Sequence, residues 1–332
     1  MTSRLVDRCV RLSVPPSRAP IENGTLEDWR PGTLQEWHAL ACTFLSSDLK
    51  CSPVASSPTR ASDSVRVATW LPSGPPSEGG TCPGATEYCH RLDYAHPLTC
   101  YARRLELGRP SLGRKTVTRL ETWTALGLGE KITLAAAIID AAYRSQVEPG
   151  PLSTHAGHPV ERPILRIGAG GDLATREDGE AWAAALHWAG IYRPTLRAWI
   201  YSRSYGLDPG AADPLGPIAD GIRRGSITNT AAYLSTDPDM TDRTRRALRG
   251  RYSHLAVAVL ADDAAQGAAI LEELRRPNRP LVCPVDREVR TWPTADRRPG
   301  DPYASGACSR CRACIEPTGR RTWQQDVIFP RR

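Results

Sequence analysis

From Val65 to Asp286 the chain alternates short, nearly continuous apolar runs with longer stretches whose apolar residues return every three or four positions. The first kind reads as strands buried on both faces and the second as amphipathic helices. Predicted strands cover 65–72 (VRVATWLP), 163–172, 195–204, 229–237, 254–263 and 279–286. Predicted helices cover 113–126, 131–144, 177–190, 214–225, 240–250 and 265–276. This order predicts an α/β fold, a partial (β/α)6 TIM-like barrel of parallel strands over 65–290. In such folds functional groups gather where strands end, on the C-terminal rim.

The flanks break the pattern. Residues 1–64 read as an irregular N-terminal extension in which only WHALACTFL (37–45) has helical character; its Cys9, Cys42 and Cys51 follow no motif and read as ordinary buried or free thiols. Residues 291–332 read as a Cys-rich, metal-binding segment packed on the barrel.

Composition narrows the classes. No run reaches the roughly 20 apolar residues of a membrane span, and the N-terminus lacks an apolar core of signal-peptide length. These point to a cytoplasmic protein with no membrane partner. Ten cysteines in a reducing compartment favour metal or redox chemistry over a disulfide framework. The net charge of +7 rests on forty Arg and three Lys, which points to a nucleic acid or nucleotide as a partner.

The cysteines supply the candidate chemistry. Cys308, Cys311 and Cys314 form C-x2-C-x2-C, with Cys283-Pro284 at the last strand end as a distant fourth ligand. Thiolates so spaced suit a [4Fe–4S] cluster, and zinc is the alternative. Cys82, Cys89 and Cys100 form C-x6-C-x10-C after the first strand. Three cysteines without a local fourth would leave one iron of a [4Fe–4S] cluster open; zinc completed by His90 or His96 is again the alternative.

TCPGATEYC, CYAR (100–103), RIGAGGD (166–172), YSRS (201–204), LSTD (234–237) and CSRCRAC followed by VIFPRR resemble the phage "gene product 88" family over about 65–332. More loosely, the chain is similar to radical S-adenosylmethionine enzymes, which carry three cysteines after strand one and a Gly-Gly-acidic turn after strand two. That resemblance implies a cluster on Cys82, Cys89 and Cys100, and S-adenosylmethionine held by Gly170, Gly171 and Asp172. Ser202 and Asp237 would then bind ribose hydroxyls and Arg203 a carboxylate or phosphate, with an auxiliary cluster at the C-terminal cysteines. The compact C-x3-C-x2-C loop of those enzymes is absent here.

Two other readings stand beside this one. One is a non-enzymatic nucleic-acid-binding protein stabilised by zinc. The other is a nuclease- or glycosylase-like enzyme with a structural cluster and rim carboxylates Asp172, Asp237 and Asp262.

Overall fold

The computed structural model describes residues 33–46, 68–90, 100–147, 163–207, 213–276, 280–283, 314 and 325–330. Its framework is one eight-stranded sheet: β1 (Leu45–Ser46), β2 (Ala68–Trp70), β3 (Ile164–Gly170), β4 (Arg197–Ser202), β5 (Thr230–Thr236), β6 (Ala256–Ala261), β7 (Leu281–Val282) and β8 (Val327–Pro330). The spatial order is β1-β2-β3-β4-β5-β6-β8-β7, and every pair is parallel except β1 with β2. The sheet is open, with β1 and β7 as edges among the described residues, so the expected α/β class holds without closure into a barrel.

Side chains alternate between faces, as strand geometry requires. Leu165, Ile167, Ala198, Ile200, Ala232 and Leu234 enter the main core. On that face pack α1 (Leu34–Phe44), α5 (Leu128–Val147), α6 (Arg176–Tyr192), α7 (Gly216–Arg223) and α8 (Thr241–Leu248). The helix α9 (Ala264–Glu273) continues this layer over Val257, Val259 and Ile328. The second face carries α3 (Tyr101–Gly108) and the start of α4 (Pro110–Thr124) over Ala68, Trp70 and Ala169. From β4 onward it presents Trp199, Tyr201, Tyr233, Val327 and Phe329, with no helix among the described residues.

Helices start where local chemistry satisfies their first N–H groups. Thr33 with Glu36 and Thr175 with Asp178 form reciprocal capping boxes at α1 and α6. At α9 the Asp263 side chain accepts from the Gln266 N–H at 2.8 Å and caps the helix.

Three expectations change. Helix α1 and strand β1 are not apart from the rest: Leu40, Ala41 and Phe44 are buried in the main core, and β1 pairs with β2. Asp140 of α5 fastens this segment, contacting His38 at 3.1 Å and Arg144 at 2.7 Å, and accepting from Arg193 Nε at 2.7 Å. Cys42 is buried and disulfide-bonded, not a free thiol. The sheet also has two strands beyond the six expected, of which β8 is inserted between β6 and β7.

Candidate functional site

The β2–β3 connection folds back across the C-terminal strand ends. Gly84 presses so close to β4 that a Cβ there would lie 2.0 Å from the Arg203 carbonyl oxygen. Thr86 Oγ1 donates to Asp237 Oδ2 at 2.6 Å, and the Tyr88 N–H donates to Asp239 at 3.0 Å. The Tyr88 hydroxyl reaches Asp262 at 2.9 Å. A short helix, α2 (Glu87–His90), completes this strap. One loop thus joins the ends of β4, β5 and β6.

Beneath it lies a polar floor. Asp172 is buried, and its Oδ2 accepts from the Arg203 N–H at 2.6 Å while Oδ1 accepts from the Leu173 N–H at 2.8 Å. Burial raises its pKa, opposed by these N–H groups and by Ser202. The Arg203 guanidinium pairs with Asp237, which is wholly buried, and also meets the Met240 sulfur at 3.1 Å. Burial works against the Arg203 charge, but Cys89 and Asp237 reverse this and hold its pKa above the ordinary value. Ser202 is fully buried, and its Oγ accepts from the Ser204 N–H at 3.0 Å.

Gly170 and Gly171 are needed for packing. A Cβ on Gly170 would lie 1.9 Å from the Trp70 indole nitrogen, and Gly171 has φ +72° with Thr81 Oγ1 2.4 Å from any added Cβ. Trp70 is held in turn by Glu106 of α3, which accepts from its Nε1 at 2.9 Å and from Ser73 Oγ at 2.8 Å.

The three cysteines of the connection lie near enough to act on one another's charge. Cys100, the residue before α3, hydrogen-bonds Cys89, and Cys82 acts on Cys100 electrostatically. Cys89 and burial raise the Cys100 thiol well above its ordinary pKa, while the Arg103 backbone N–H pulls it down. Although part of Cys82 reaches solvent, its enclosed sulfur is raised by burial and by Asp172; the Gly74 backbone and Arg203 oppose the rise. Like charges at close range disfavour ionisation.

Cys283 and Cys314 lie elsewhere, together in the second-face cluster with Trp199 and Tyr233. Cys308, Cys311 and His96 fall outside the described residues. Among the described residues, no three of His, Cys, Asp and Glu gather as ligands of one ion. Thr81, Gly84, Thr86, Tyr88 and Glu106 were not singled out from sequence. Gly84, in the turn after Cys82-Pro83, carried the one usable signal.

The sequence model of the family described as "Gene product 88" matches residues 50–317, most of the chain. The chain belongs to that family. The match takes in the strap, the polar floor, and all seven cysteines of the two constellations. Among curated proteins and among solved structures, nothing matches. No described helix is long and apolar enough to cross a membrane.

Proposed function

We propose that this member of the Gene product 88 family is an iron–sulfur protein whose reactive centre is held at the rim by Cys82, Cys89 and Cys100. The Cys89–Cys100 hydrogen bond, with Cys82 and Arg203 near enough to act on these thiols, is the observation that carries the reading. As bare thiols they hold one another protonated; a bound cation inverts that balance and draws them into thiolates. A [4Fe–4S] cluster takes one thiolate per iron, so three cysteines would hold three of its irons and leave the fourth open.

The chain's own groups fit this charge. The Gly74 and Arg103 backbone N–H groups favour anionic Cys82 and Cys100, and Arg203 does the same for Cys89. Asp237 keeps Arg203 in place, and the strap through Thr86 and Tyr88 narrows the access of water. When bound, a [4Fe–4S] cluster supplies one-electron chemistry. The parallel run from β2 to β6 in the open sheet is what the fold has in common with the finer reading, a radical S-adenosylmethionine enzyme. In that finer reading the Gly170-Gly171-Asp172 turn borders the cofactor's seat, and the buried groups Arg203, Ser202 and Asp237 support it from beneath. The net charge of +7 supports a nucleotide or nucleic acid as substrate.

Anaerobic purification tests the reading. The protein is expected to be brown and to hold roughly four irons and four sulfides per rim centre. Cys82→Ala, Cys89→Ala or Cys100→Ala should each remove that portion of the iron. A colourless protein with zinc and no sulfide would refute it. Reduced with dithionite and given S-adenosylmethionine, the iron-loaded form should release 5′-deoxyadenosine; no release confines the centre to other electron-transfer or structural work.

A further inference from the structure

The second face of the sheet holds groups that the rim does not use. Cys283 follows β7, where its N–H donates to the Ile328 carbonyl at 2.9 Å, and it packs with Trp199, Tyr233 and Val327. Cys314 packs into the same cluster and hydrogen-bonds the Tyr201 hydroxyl. The Tyr201 ring lies 5.1 Å from that of Tyr233 and edge-on to Phe329 at 5.4 Å, with the Arg166 guanidinium 5.7 Å from its centroid. Two thiols thus share an apolar basin lined by the Tyr201 and Tyr233 hydroxyls and the Arg166 guanidinium, with the Asp326 carboxylate, itself paired with Arg276, acting on Tyr233 from its edge.

Tyr233 makes the basin incomplete. The residue has no solvent exposure, and its hydroxyl oxygen has no hydrogen-bond partner. Buried hydroxyls are nearly always satisfied. A neutral thiol is a weak acceptor, whereas a metal-bound thiolate or sulfide is an anion and accepts strongly. The lining is therefore matched to sulfur that carries charge.

We infer that Cys283 and Cys314 are thiolate ligands of a second, anionic metal centre on this face, with the Tyr201 and Tyr233 hydroxyls donating to its sulfurs. The inference stands whether or not the rim binds a cluster. Cys308 and Cys311 lie outside the described residues. An iron–sulfur cluster and a zinc ion share this thiolate chemistry.

The test uses the full chain with the rim disabled, Cys82→Ala/Cys89→Ala/Cys100→Ala, purified anaerobically from cells supplied with iron and zinc. Retention of roughly four irons with matching sulfide identifies a cluster, and retention of about one zinc identifies a zinc site. Either supports the inference if adding Cys283→Ser and Cys314→Ser removes the metal. A rim-disabled protein with neither metal overturns it, as does metal that survives the added pair. Should the added pair misfold, Cys314→Ser alone, at the partly buried position, serves in its place with folding checked by circular dichroism. Tyr233→Phe removes only the hydroxyl. It should shift the visible bands of the iron form, or of a cobalt-substituted zinc form, with cooperative unfolding retained. An unchanged spectrum overturns the assigned donor role of Tyr233.

Discussion

Arg203 and Asp237 form a buried ion pair that ties the end of β4 to the end of β5. Asp237 also accepts from Thr86 Oγ1 at 2.6 Å and from the Asp239 and Met240 N–H groups at 3.0 and 3.1 Å. Asp237→Asn keeps an acceptor for those backbone groups but leaves a buried guanidinium without its counter-charge. The expected loss is about 3–5 kcal/mol, measured by urea unfolding. A loss below about 1 kcal/mol would mean that the pair behaves as if solvent-exposed.

The Gly170–Trp70 approach predicts an overpacking defect. Gly170→Ala should cost at least about 1–3 kcal/mol, because the indole, held by Glu106, has little freedom to retreat. Trp70→Ala/Gly170→Ala should be less destabilised than the sum of its single variants. Strict additivity in urea unfolding would contradict this contact.

Asp140 predicts an acid-sensitive seam between α1, α5 and α6. Burial alone would raise its carboxyl, but His38, Arg193 and Arg144 more than reverse this and lower its pKa to about 2. A depressed native pKa contributes stability above the unfolded value of about 3.9, which is lost as pH falls toward the native value. Stability should therefore decline between about pH 4 and pH 2. Asp140→Asn should be less stable near neutral pH and should lack this component of the decline. Parallel acid profiles for the two proteins would rule it out.

Asp326, just before β8, is almost fully buried and accepts from the Val257 N–H at 2.8 Å and from Arg276 Nε and Nη2 at 3.0 and 2.9 Å. Asp326→Asn should cost about 3–5 kcal/mol by exposing Arg276 to an uncompensated burial. Amide hydrogen exchange should rise in β7 and β8 before it rises in β3 or β4. Uniform acceleration across the sheet would argue against a local role.

Strands β3 to β6 were legible because both faces are buried, so their residues read as apolar runs wherever helices cover one side and aromatic groups the other. Predicted ends ran one or two residues long, since Asp172, Arg203 and Asp237 are polar yet belong to the rim. Strand β8 was not legible: VIFP is short, follows a polar stretch and gains its place only from β6 and β7. Cys82, Cys89 and Cys100 were readable as one loop, but their neighbours were not. Glu106 supports Trp70 from 36 residues away, and Thr86 meets Asp237 across 151, separations at which spacing carries no information. The N-terminal helix was visible as WHALACTFL, whereas its union with the main core depends on Asp140.

The insertion of β8 between β6 and β7 has a consequence for synthesis. The ribosome makes β7 about 45 residues before β8, yet among the described residues β7 has no hydrogen-bonded strand neighbour except β8. The nascent chain can lay down β2 to β6 as each emerges, but β7 must wait, its edge unsatisfied, until Val327–Pro330 leaves the exit tunnel. Cys283, on the residue after β7, waits with it. Any centre that needs this thiol with β7 in place can be assembled only after β8 has been made.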